Sequence, residues 1–131
     1  MSFLAKLSLD GEEFNILECK FGIRQKADES GKPSAKPTGG QIQMLVESTV
    51  KIDFFEWAIS KSATKSGEIV FYKRDNFSSL KKLEFKDAYC LNYEEIFNAT
   101  DSQPLKIFLL ISAKELVVRG TRFANNWPSK T

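Results

Sequence analysis

Apolar residues recur at every second position through most of this chain, and that period commits it to β-strands more firmly than any other property it has. Phe3, Ala5, Leu7 and Leu9 share one face of a first strand. Asp10-Gly11 follows, a dipeptide suited to the positive φ angles of a two-residue hairpin turn. In the second strand Phe14 and Ile16 hold one parity while Cys19, Phe21 and Ile23 hold the other. A change of phase near Leu17-Glu18 is what one inserted residue in a β-bulge produces, so strong twist is expected there. A third strand carries Ile42, Met44 and Val46 and ends in Glu47-Ser48-Thr49. Beyond Gly67 come Ile69 and Phe71, then a turn at Arg74-Asp75-Asn76. Leu83 and Phe85 lead into residues 88–93, where Tyr89, Leu91 and Tyr93 share parity. The last long strand runs from Leu105 through Ile107 and Leu109 to Ile111, with Phe108 and Leu110 apolar on its other side. Two apolar faces mean burial on both, or one face committed to a partner.

Two segments interrupt the period. Residues 25–40 hold two prolines, three glycines and almost nothing to bury, which predicts a long surface loop; loops of this length inside a compact domain are usually functional or disordered. The second interruption is a short helix over about 53–62. Asp53 is placed to cap it, Glu56 stands in capping-box position, and Ile52 is placed to staple against Trp57. Phe54, Phe55, Ala58 and Ile59 give it a broad apolar face, so packing rather than propensity must hold it. Strands and one helix, with no βαβ alternation, predict a mainly β protein: a two-sheet antiparallel barrel or sandwich with one short flanking helix and a long extended loop, in a single domain over residues 1–131.

Composition removes whole classes of chemistry. The 131 residues include no histidine, which excludes Ser-His-Asp and Cys-His nucleophile systems and the commonest metal ligand together. Two cysteines cannot complete a tetrahedral zinc site, and Cys19 and Cys90 each sit in an apolar strand-like run, so both are expected to be buried free thiols. The paired acids Glu12-Glu13 and Glu94-Glu95 point to opposite faces of their strands and make no two-carboxylate site. Thr38-Gly39-Gly40 lacks the following helix that would cradle phosphate. No catalytic residue, cofactor site or metal site is therefore expected. The N-terminal stretch interleaves polar with apolar residues and has no h-region, and no run is long and apolar enough for a membrane span, so the chain is expected to be cytoplasmic when made and not to insert in a membrane.

A small β-barrel with exposed aromatics suits single-stranded nucleic acid or a small ligand, and Lys61, Lys65, Lys73, Arg74, Lys81 and Lys82 would be its basic patch. Glu68, Asp75 and Glu84 are interleaved with them, and nineteen Lys plus Arg against seventeen Asp plus Glu give a net charge of only +2. A mixed solvated surface is the better reading, and binding of this kind stays the alternative function.

Several stretches taken in order resemble one family. They are Met1-Ser2-Phe3-x-Ala5-x-Leu7-x-Leu9-Asp10-Gly11, Gly31-x-Pro33-Ser34, Gly39-Gly40, Val46-Glu47-Ser48-Thr49, Leu83-x-Phe85-x-Asp87-Ala88-Tyr89-Cys90, Ile111-Ser112-Ala113 and Asn125-Asn126-Trp127-Pro128. Together they look like the tube protein of type VI secretion systems, the haemolysin-coregulated protein or TssD family, in its Bacteroidetes form. The resemblance implies a two-sheet barrel with a flanking helix that closes into six-membered rings, rings that stack into a hollow conduit, and a sheath whose contraction expels it. It also implies partners: further copies of itself, sheath, baseplate and spike proteins, and effectors carried in the lumen, with export that uses no signal peptide. On this likeness the ring-stacking loop would be Ser30, Gly31, Lys32, Pro33, Ser34, Lys36, Pro37, Gly39 and Gly40, and the core or interface helix Phe54, Phe55, Trp57 and Ile59.

Overall fold

Strand β1 (Phe3–Leu9) turns through Asp10 and Gly11, with φ of 52° and 79°, into β2 (Glu12–Arg24), as the Asp-Gly pair requires. The computed structural model describes residues 3–48, 54–76 and 78–127. Along β2 the register against β3 (Thr38–Glu47) slips between Ile16 and Glu18, which is the bulge expected at the change of phase. This bulge lets one long strand serve two neighbours: Leu7 and Phe14 face each other across β1 and β2, while Cys19 and Phe21 lie opposite Met44 and Ile42 of β3.

After helix α1 (Phe54–Ile59) come β4 (Lys65–Lys73), β5 (Ser79–Phe97), β6 (Leu105–Val118) and β7 (Thr121–Ala124). The sheet order is β3-β2-β1-β4-β5-β6-β7, all neighbours antiparallel, and it closes because residues 106–112 of β6 also pair with β3. Six strands thus form a barrel. β7 lies beside the far half of β6, pairing Glu115 to Val118 where β3 is no longer present.

Alternation fills the barrel. Leu7, Leu9, Ile42, Met44, Val46, Ile69, Leu83, Phe85, Ile107, Leu109 and Ile111 all point inward into one apolar cluster, and among the described residues no polar or charged side chain is buried. Each such burial contributes roughly 1.5–3 kcal/mol against the ordering of the chain. Gly67 is required by closeness: a Cβ there would stand 2.5 Å from the Ser8 carbonyl oxygen and 2.9 Å from Phe85 Cζ.

The helix packs on the barrel against β2 and β5. Phe54 packs on Phe14 with ring centroids 5.3 Å apart, and the buried Trp57 donates its indole Nε1–H to the Ala88 carbonyl at 3.2 Å. The expected cap Asp53 and staple residue Ile52 lie outside the described residues. The helix is shorter than the expected 53–62: Ser60 Oγ accepts the Ala63 N–H at 2.9 Å and turns the chain out after Ile59. Its apolar face is also narrower, because Phe55 and Ile59 are exposed.

Three further expectations need correction. Thr38, Gly39 and Gly40 belong to β3, opposite Arg24 and Ile23, because backbone pairing there needs no side-chain hydrophobicity; the loop is residues 25–37. The last long strand continues to Val118 and returns through Arg119-Gly120, both at positive φ, as β7. Tyr89, Leu91 and Tyr93 do not hold one face, since β5 slips register between Cys90 and Asn92. As for the thiols, Cys90 is buried but Cys19 is only half-buried, and both are free.

Candidate assembly surfaces

The loop is ordered by its own polar groups. Asp28 Oδ1 accepts the Ser30 N–H at 2.9 Å, the Ser30 hydroxyl at 2.7 Å and the Lys32 N–H at 3.0 Å. Around it Asp28 N–H donates to Lys32 O at 2.8 Å, Ser34 N–H to Lys26 O at 2.8 Å, and Ala27 bridges Pro33. The tip is thus a small closed knuckle, with Gly31 at φ 87° making the turn. The Ser30 hydroxyl bond and then the Lys32 N–H hold the Asp28 carboxyl below its ordinary range. Every residue from 24 to 38 is exposed, so Ser30, Lys32, Pro33, Ser34, Lys36 and Pro37 contribute nothing to the core.

At the loop's root two distant segments meet. Asn125 Nδ2 donates to Gly39 O at 3.1 Å and to Ala113 O at 3.0 Å, tying the stretch after β7 to the start of β3 and the middle of β6. Gly40 has φ 93°, and a Cβ on it would stand 2.6 Å from both Ala113 O and Asn125 Nδ2. The Gly39-Gly40 and Asn125-Asn126-Trp127 marks, far apart in the sequence, are two sides of one contact. Trp127 reaches Tyr89 with ring centroids 5.4 Å apart and holds this stretch against β5.

At the other end of the barrel the surface turns apolar. Phe97, 70% exposed, lies opposite Leu105 at the tip of the β5–β6 hairpin, and Ile59, 69% exposed, stands on α1. Phe55 is half exposed and meets Tyr93 edge-on at 5.9 Å. Among the described residues β5 pairs with β4 only as far as Ala88 and β2 with β1 only as far as Ile16, so residues 92–97 and 18–24 each present an open strand edge. Phe108 and Leu110, on the outward side of β6, are half-buried; with Leu45, Met44 and Cys19, Phe108 lines a concavity of about 420 Å³.

Among the described residues no cluster of three or more His, Cys, Asp or Glu could hold a metal ion, and no helix is long and apolar enough to cross a membrane. Ordered projecting loop, open edges and exposed aromatics on a closed barrel define a subunit made to be built into something larger.

Comparison gives that class its family. The family model described as hemolysin coregulated protein Hcp (TssD) matches residues 1–128, and the chain belongs to that family: it is a tube subunit of a type VI secretion system. Hcp1 from Flavobacterium johnsoniae is 35% identical and superposes with a TM-score of 0.86 over 93% of this chain and 99% of that one. Hcp1 from Salmonella typhimurium shares the fold at 15% identity, TM-score 0.69, over 94% of this chain and 92% of that one. A chain of an extracellular contractile injection system, from a structure of its sheath and tube terminator, shares the fold at 13% identity, TM-score 0.56, over 88% and 92%. A search of curated protein sequences finds none that matches. The nucleic-acid or small-ligand reading is not favoured by this membership.

Proposed function

We propose that copies of this chain close into six-membered rings, that rings stack into the conduit of the secretion tube, and that the loop at residues 25–37 makes the contact between rings. Family membership over nearly the whole chain carries this reading. Its support within the molecule is a loop that is wholly exposed yet internally hydrogen-bonded, the form of a segment shaped for an external partner. The open edge at 18–24 and the half-buried apolar Phe108 and Leu110 on the outward side of β6 suit lateral contacts within a ring. The lumen would carry effectors, the outer wall would meet the sheath, and the tube's end the spike and baseplate. Export would follow contraction and need no signal peptide, and the subunit would work by shape and assembly without catalysis. Native mass spectrometry at micromolar concentration tests the ring: a mass of six subunits is expected, and a single-subunit mass would sink the reading.

A further inference from the structure

The small net charge conceals an uneven distribution along the barrel. Strand direction and register separate its two ends. Arg24, the loop residues Lys26, Lys32 and Lys36, the β4–β5 turn residue Arg74 and the β6–β7 turn residue Arg119 all stand at one end, and all are exposed. Acids at that end are Glu29, Asp75 and Asp28, and the Asp28 carboxylate faces inward into the knuckle's own N–H groups.

The opposite end carries the β1–β2 turn, the close of β3, helix α1 and the β5–β6 hairpin. Asp10, Glu47, Glu56, Glu94, Glu95 and Asp101 gather here. Of the cations present, Lys65 is held by Asp10 and Lys106 by Asp101, leaving among the described residues Lys61 and Lys86, the latter next to the exposed Asp87, so that acids still outnumber cations. Among the described residues Glu47 accepts a hydrogen bond from the neutral Asn15 amide at 3.0 Å. One end of the subunit is therefore basic and the other acidic.

We propose that the partner fitted to the basic loop end is the acidic α1 and hairpin end of a second copy, so that opposite charge sets the direction and register of end-on stacking. The proposal rests on the stacked-ring reading and adds to it the surface that the loop meets and the force that selects it. Like ends brought together would repel, so charge rejects the inverted arrangement as well as favouring the correct one. Symmetry multiplies a weak exposed contact around the ring, which is why pairs that are individually slight suffice.

Two charge-reversed proteins test it. One carries Lys32→Glu and Lys36→Glu, making both ends acidic; the other carries Glu94→Lys and Glu95→Lys, making both ends basic. All four side chains are exposed, so each subunit should fold and keep its ring mass, which thermal melting and native mass spectrometry verify. Stacking is read by sedimentation and negative-stain microscopy in low salt, then at about 0.5 M salt, where screening shortens electrostatic reach to a few ångströms. Wild-type rings should stack in low salt and lose association by on the order of tenfold or more as salt rises. Neither variant should stack alone, but an equal mixture should, because the acidic loop end of one then meets the basic hairpin end of the other. Stacks that survive high salt, variants that stack alone, a mixture that does not, or wild-type rings that stay single in low salt would each overturn the proposal. An absence of rings in the mass spectrum sinks the ring reading instead, and the same mixing experiment then reports end-on association of single subunits.

Discussion

Trp57 shows how much one side chain fixes here. It is 3% exposed, it joins a six-residue helix to the barrel, and its Nε1–H satisfies the Ala88 carbonyl. Trp57→Ala removes both the packed ring and that donor, so it should destabilise the subunit by about 3–5 kcal/mol; Trp57→Phe keeps most of the packing and should cost less, the hydrogen bond itself being worth about 1 kcal/mol. Denaturant titration of the two variants checks the order, and an unshifted midpoint for Trp57→Ala would place the ring outside the core. The thiols make a second prediction at this scale. Desolvation by burial pushes Cys19 up to about 11 from 9.0 and raises Cys90 as well. At pH 8 the folded Cys19 should alkylate about a hundredfold more slowly than in denaturant, because only the thiolate reacts. Since the folded value lies above the unfolded one, the stability linked to protonated Cys19 is fully present below pH 9.0 and is lost as pH climbs towards about 11. Equal alkylation rates in the folded and denatured chain at pH 8 would refute the burial argument.

At the scale of elements, legibility followed side-chain periodicity. The turn at Asp10-Gly11 and the bulge at Ile16/Glu18 could be read because each changes which residues face inward. Backbone-only features could not. Thr38 and Gly39 lie in β3 through ladder pairing alone, and the β7 return at Arg119-Gly120 is marked in the sequence only by Val117-Val118 and Phe123 on either side of a turn glycine. The Asn125 clamp left no local signal, since its two acceptors are carbonyls from 12 and 86 residues away. Its importance is nonetheless testable. Asn125→Ala should cost about 1–2 kcal/mol for two lost hydrogen bonds. Gly40→Ala should cost at least as much, because alanine resists φ 93° and its methyl would press on the fixed Ala113 carbonyl. Thermal melting measures both; a Gly40→Ala protein as stable as the wild type would mean that this root is not rigid.

For the molecule as a whole, the loop and the barrel divide the work, and that division yields the last prediction. Among the described residues the buried apolar side chains belong to the strands and α1, while residues 24–38 are exposed throughout. The knuckle's order comes from within: Asp28 holds Ser30 and Lys32, and Ala27 bridges Pro33, with no bond to the barrel needed. Pro33 and Pro37 restrict the undocked chain too, so little freedom is lost on docking. Replacing residues 27–36 by a tight polar turn leaves the Arg24 and Thr38 pairing in place and removes no core contact. The shortened protein should therefore melt within a degree or two of the wild type, a shift worth only a few tenths of a kcal/mol in a domain of this size. Its rings should close with unchanged mass, yet tubes should not grow and contraction-dependent secretion should fail. Secretion assays, native mass and melting, taken on one preparation, separate the outcomes. Rings that fall apart would assign the loop to the lateral interface, and secretion at the wild-type level would make it a dispensable surface segment.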